Sequence, residues 1–528
     1  MRNGIITKLN RILLSSFLLI FSCSQNKAEE ADAGLDSGVE SDGSAGGADR
    51  DGSVDGNSTY DAGRLIWVKS AGGPSSDRAF DISINKDNLI AITGSCSYDA
   101  VFDPGGSNPT TIENDSMFTA LYRDNGDLEW VKTEVNYLHA RGVSIQENGS
   151  VIVTGEFWGK QTIGEGEENE TIIESQERED VFIIKYNADG TLAWAKAIGG
   201  QDTDWGTDID SDKTKKIVIA GSYLEDITLG NGEINETYFY AESSFDIFIA
   251  KYNSQGSLIW ARTAGAYAGD IVESISVDDD GSVLITGYFD GEITFSKGEI
   301  NEVTLYAEGI SDIFIAKYSS EGQFEWARSA GSPDDNDLMM EPESANSIAT
   351  MNDGSYLITG TFWVSATFGK GEPDETILTS AGNQDMFVAR YSKDGNLIWA
   401  KSAGGEGGMD IGWGVAGSTD GYVYVTGTFD KEATWGYGEE NETTIASFGY
   451  ADIFIAQYDS NGSFLWATGL GSNADFGDFS WGIDVLPEGA PVITGHFGEI
   501  LWKKEKNINQ EILKSNGMED IFLIKMDP

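Results

Sequence analysis

The segment Asp312-Ile313-Phe314-Ile315-Ala316-Lys317-Tyr318, turned by Glu321-Gly322 into Phe324-Glu325-Trp326-Ala327-Arg328, decides how the chain is read. Its second half recurs around Trp67, Trp130, Trp194, Trp260, Trp326, Trp399 and Trp466, at successive spacings of 63, 64, 66, 66, 73 and 67 residues. A regular period of this size marks a stacked or radial repeat fold, and it overrides any domain count taken from length.

Working outward, residues 271–328 form the clearest copy. Ser274-Ile275-Ser276-Val277 alternates as a short strand, and Asp280-Gly281 is a tight hairpin signal. Ser282 to Phe289 is a second strand, and a long connection leads to the third and fourth strands quoted above. Apolar residues crowd both faces of the third strand, as a sheet sandwiched between neighbours requires. Four antiparallel strands repeated seven times predict an all-β, seven-bladed β-propeller. Both chain ends agree with this. Residues 65–70 supply a fourth-type strand with no first three before it, and residues 481–526 supply the first three types with no fourth after them. The N-terminal outer strand is expected to join the last blade in a 1+3 closure, removing free sheet edges.

The pattern Thr-Gly-x-Phe, then Asp-Ile-Phe-Ile-Ala-Lys-Tyr, then Gly-x-Leu-x-Trp-Ala-Lys-Ser-Ala-Gly-Gly resembles the bacterial seven-bladed propeller repeat family called SBBP. The resemblance covers residues 64–528. It implies an exported or surface protein and no catalytic residues. Ser116, where the other copies carry Asp, is a departure in the first unit that leaves the fold expectation unchanged.

The N-terminus reads as an export signal over residues 1–22. Arg2, Lys8 and Arg11 are a basic region, and Ile12 to Phe21 is an apolar run of ten, too short to span a bilayer as a helix. Ile20-Phe21-Ser22-Cys23 resembles a lipoprotein box, which makes Cys23 the expected lipidation site; Ser24 in place of Asp points to the outer membrane. A plain secretory signal is the alternative. Residues 23–63 hold ten acidic residues among Gly, Ser and Ala, and read as a self-repelling tether to a propeller over 64–528. The only other cysteine is Cys96, so no disulfide is expected in the mature fold.

The formal charge of -53, from 87 acidic against 34 basic side chains, excludes a nucleic-acid surface, which needs clustered Lys and Arg. It leaves cationic partners, divalent ions or simple solubility. Thr93, Thr154, Thr286, Thr359, Thr426 and Thr494 precede Gly after the second strand, and Asp180, Asp246, Asp312, Asp385, Asp452 and Asp520 precede the third. Both sets read as architecture: a bulge or close approach for the Gly, a turn or backbone cap for the Asp, with metal ligation the sharper alternative. The repeat Trp residues read as wedges between blades.

Five second-to-third connections carry a Gly-Glu-x-Asn/Asp-Glu motif, containing Glu167 and Glu170, Glu233 and Glu236, Glu299 and Glu302, Glu372 and Glu375, and Glu439 and Glu442. They are candidate calcium ligands, or else hairpin tips with solvated charges. The fourth-to-first connection carries scattered Asp (77, 204, 270, 337, 410 and 475). Trp205, Trp413 and Trp481 lie near its end, as a candidate ligand platform at the channel mouth or as channel packing. With only His139 and His496, zinc sites and a Ser-His-Asp triad are hard to build. The expected function is a monomeric, surface-anchored binding or scaffold lipoprotein whose acidic long-loop face meets a protein or glycan, with calcium as a candidate aid. The alternative is a carbohydrate-active hydrolase or lyase at the channel mouth.

Overall fold

The computed structural model describes residues 63–106, 109–135, 137–333, 342–474, 477–505 and 508–528. The expected signal, Cys23 and all but the last residue of the tether lie outside the described residues, as do Asp337 and Asp475. Every regular element described is a strand. The pairings sort them into seven antiparallel sets of four, called units 1–7 here in chain order of their first strands. Unit 3, for example, runs Asp204–Ser211, Ile217–Tyr223, Asp246–Tyr252 and Leu258–Gly265. In unit 7, Phe479–Val485, Pro491–Glu505 and Ile508–Met526 are joined by Leu65–Ala71 from the other end of the chain, with Trp67 opposite Lys525 and Ala71 opposite Ile521. First strands of successive units touch from unit 1 to unit 7, and the first strand of unit 7 touches that of unit 1.

The Thr-Gly pair builds six of the seven units from inside, and Ala220-Gly221 takes its place in unit 3. The six threonines are fully buried, and each hydroxyl donates to a third-strand carbonyl, as Thr286 does to Phe314 at 2.7 Å. The following Gly faces the first strand so closely that a Cβ at Gly287 would collide with the carbonyl oxygen of Ile271. In every unit the first strand answers with a one-residue bulge opposite this pair, as between Val272 and Ser274. The Gly thus serves close packing within the sheet, and the bulge it was expected to permit forms across from it.

Three devices join successive units. The seven hydrophobic clusters of the core lie between units; Val218 and Ile249 of unit 3 share one with Val283 and Phe314 of unit 4, and Ile90 and Ile92 of unit 1 share another with Val492 and Leu523 of unit 7. The repeat Trp residues are the wedges expected: the Trp260 indole N–H donates to Ser320 of unit 4 at 3.1 Å and the ring lies over Gly322. Trp466 differs, because unit 7 takes its third and fourth strands from opposite chain ends and has no such turn; this indole rests on Gly63 and bonds Gln457 at 2.6 Å. Finally, the long second-to-third connections are themselves β-hairpins that lap onto the preceding fourth strand, as Phe295 pairs with Ala264 and Thr228 with Gly199.

Inner edges are closed by side chains. Asp81 accepts from Val143 N, Asp208 from Ile275 N, Asp210 from Val277 N and Asp484 from Ile84 N, the last joining unit 7 to unit 1. Burial pushes Asp208 and Asp484 up to about 7 and Asp210 up to about 6, against only partial compensation by these bonds. A raised carboxyl favours the protonated fold, so its stabilisation is complete in acid and fades as pH rises through about 6 to 7. Melting temperatures should therefore be higher by several degrees at pH 5.5 than at pH 8, and D208N/D484N should flatten that slope; a flat wild-type profile would contradict it. Thr286→Val should cost about 1–3 kcal/mol in urea unfolding by stripping a buried carbonyl of its donor.

Candidate functional site

The first-strand bulges put one residue of each unit at the same level: Phe80, Arg141, Thr207, Glu273, Asn346, Trp413 and Trp481. All seven are half-buried. They reach one another across units. The Trp413 and Trp481 rings lie 4.6 Å apart, and Phe80 meets Trp481 edge-on at 6.3 Å. Arg141 and Glu273, two units apart, act electrostatically on each other. The Asn346 amide donates to Gly412 O at 3.0 Å.

This row is held from behind. The Trp481 indole N–H donates to Nδ1 of buried His496 at 3.2 Å, and the Trp413 N–H donates to Thr428 at 3.0 Å. Burial holds His496 well below the usual imidazole range, so it stays neutral and able to accept. Their polar handles are spent on the scaffold, and Trp481 also stacks on Phe479 at 5.3 Å, so the indoles present the apolar ring surface that these contacts leave uncovered. On the far side the Arg141 guanidinium grips Glu156 at 2.6 and 3.0 Å. Glu273 is pushed up to about 7 by burial, with Arg141 pulling the other way. The row therefore pairs an aromatic arc with a guanidinium and a carboxyl poised near neutrality.

Two of the three Trp residues singled out in the sequence belong to this row. Trp205 does not: it sits two positions before its bulge, buried and stacked on Phe245 at 4.5 Å. Sequence reading missed Phe80, Arg141, Thr207, Glu273 and Asn346. Their signal is a fixed offset, three residues after the position held by Asp77, Leu138, Asp204, Asp270, Glu343, Asp410 or Asp478, at which residue chemistry changes from copy to copy.

The acidic loops are neither joined to this row nor brought together. Glu167 pairs with Lys132 of the preceding unit at 2.8 Å and accepts from Leu192 N at 2.6 Å. Glu233 does the same with Lys196 and Leu258 N, and Glu439 with Lys401 and Phe464 N. Glu372 accepts from Leu397 N and lies 3.7 Å from Arg328. Glu299 lines a cleft that Arg262 and Lys297 also line. Glu170, Glu236, Glu302, Glu375 and Glu442 each cap a Gly N–H of their own loop at 2.6–2.8 Å. Most of the first glutamates thus act as straps between outer strands. Among the described residues, no group of three or more His, Cys, Asp or Glu is arranged to hold a metal ion.

Because Arg141 opposes the upward shift of Glu273, Arg141→Ala should raise the Glu273 carboxyl titration further above neutrality, as followed by carboxyl carbon NMR. An unchanged midpoint would separate the two groups.

No family profile matches the chain. It is similar to an uncharacterised WD repeat-containing protein of Acanthamoeba polyphaga mimivirus, 21% identical over 473 residues, covering 76% of this chain and 34% of that one. A regulatory protein, FlaEY, of Caulobacter vibrioides is 27% identical over 227 residues, covering 41% of this chain and 22% of that protein. The chain thus spans 34% and 22% of the length of these relatives. Among solved structures, YCF48 bound to a D1 peptide is 9% identical with TM-score 0.34, covering 90% of this chain and 99% of that one. The Pan2 WD40 domain of Neurospora crassa is 9% identical with TM-score 0.30, covering 67% and 86%. The four-stranded repeat and the WD-repeat relative together make this an all-β, β-propeller repeat protein.

Proposed function

We propose that the chain is a seven-bladed propeller closed by Leu65–Ala71, and that it serves as a binding scaffold whose partner protein docks at the channel mouth lined by the seven bulge residues. Closure is supported by the pairing of Leu65–Ala71 with the last third strand and by the contact between the first strands of units 7 and 1. The docking reading is carried by one observation: a scaffold built from near-identical units varies its chemistry at one half-buried level, with Trp413 and Trp481 packed against each other at a tilt and their N–H groups already satisfied. Aromatic anchors on a rigid frame are the usual centre of a protein interface. A glycan, which also stacks on exposed indoles, is the other ligand to try. The lipid anchor at Cys23, the outer-membrane address and any help from calcium rest on the sequence and belong to the same proposal.

Affinity capture from the cell envelope, repeated with W413A/W481A, tests it. Loss of one defined partner in the variant, with folding retained, is expected; undiminished capture would remove the channel mouth as the docking site. Deleting residues 63–71 should broaden and lower the thermal transition, because the last unit then exposes an unpaired edge.

Glu273 favours one second reading, a hydrolase or lyase acting on polysaccharide, since a carboxyl near pH 7 suits a general acid. Glycoside hydrolysis needs two facing carboxyls, and this row supplies one, so binding is preferred. Product release from a polysaccharide panel that disappears in E273Q would reverse the preference.

A further inference from the structure

The junctions between units hold a second repeated acidic feature, away from the bulge row. Asp180, at the head of its third-strand segment, lies against Gly199, while the adjacent Gly200 N donates to Oδ2 of Asp204 at 2.8 Å. One junction on, Asp246 lies against Gly265 and the adjacent Ala266 N donates to Oδ2 of Asp270 at 3.0 Å. Two carboxyl groups thus flank one short corner of backbone at each junction. All four residues are more than nine-tenths buried, at 0–6% exposure. The Oδ1 atom of each is buried without any hydrogen-bond partner. A buried unpartnered carboxylate oxygen is costly, and a pair of them side by side repel as well.

Two other junctions show that the fold can satisfy this position by itself, although Oδ1 of Asp410 in unit 6 is also without a partner. Oδ1 of Asp77 accepts from Ser97 N at 2.6 Å, and that of Asp478 accepts from Gly498 N at 2.8 Å. In units 3 and 4 the corresponding amides go elsewhere, Leu224 N to Thr203 O and Asp290 N to Gly269 O. The free oxygens at the Asp180/Asp204 and Asp246/Asp270 junctions are therefore not a requirement of the repeat.

We propose that each of these two junctions binds one calcium-class divalent cation between its paired carboxylates, with backbone carbonyls and water completing the shell. The ligands are hard oxygens with no nitrogen or sulfur among them, which suits calcium over zinc or copper. Two carboxylates supply the neutralising charge, and further acids sit near enough to add to the field: Asp226 at the first site, Glu242, Asp290 and Glu292 at the second, where Lys297 opposes them. This goes beyond docking at the channel mouth, and places the cation away from the Gly-Glu-x-Asn-Glu loops, whose carboxylates are largely spent on straps and caps.

The test is calcium titration calorimetry on chelator-stripped full-length protein, with D204N, D270N and the double variant. Two equivalents should bind to the wild type, one to each single variant and none to the double, whose melting temperature should no longer rise with calcium. The Asn amide can take the place of a protonated carboxyl, so the variants should fold. Should they not, terbium luminescence on the wild type and on W205F serves instead: Trp205 adjoins Asp204 and stacks on the neighbour of Asp246, so sensitised emission, displaced by calcium, should drop in W205F. No binding at millimolar calcium, binding retained in the double variant, or loss in E170Q/E236Q instead would overturn the assignment. Partner capture at the mouth is read separately, so either idea can fail alone.

Discussion

A four-stranded sheet buried on both faces still has an inner edge, and the backbone N–H groups along it have no ladder partner. Burying such groups unpaired would cost more than the contact between units returns. The chain meets this constraint with side chains from the preceding unit: Asp81, Asp208, Asp210 and Asp484 each accept an N–H across the junction. Where no Asp is present a hydroxyl does the work, as Ser347 does for Val415 N. Much of the remaining architecture follows from keeping the inner edges this close.

Close approach within a unit makes the Thr-Gly pair necessary, because a side chain at Gly287 would meet the carbonyl of Ile271. The tight fit displaces one residue of the facing strand into a bulge. The bulge in turn shifts one side chain per unit out of register with the ladder. The candidate site is thus a by-product of packing: the scaffold fixes its level, and sequence variation at that level supplies Trp413, Arg141 or Glu273. Site and stability are separable in such a design, since the bulged residue itself carries little of the core.

The acidity of the chain gains a different meaning once its carboxylates are placed. Several of the most regularly repeated ones are buried as paired groups at the junctions, and others are half-buried as inter-unit acceptors or as straps such as Glu167 to Lys132 and Leu192 N. A net charge of -53 suggests a solvated acidic surface; the structure puts a share of that charge inside, where it is bonded, protonated or in need of a counter-ion.

The sequence by itself determined the repeat, the strand order within each unit and the matching of the two chain ends, because period-two alternation, Gly-containing turns and a recurring Trp are local signals that survive without tertiary context. It also brought Trp413 and Trp481 forward, together with Trp205. Only the tertiary structure decided that Trp205 stays buried on Phe245, that the acidic loops are spent as caps and straps, and that Phe80, Arg141, Thr207, Glu273 and Asn346 share a level with the two indoles. The reason is physical. A bulge moves a side chain by one position against the ladder, and a carboxylate's role depends on which N–H or cation faces it from another unit more than sixty residues away.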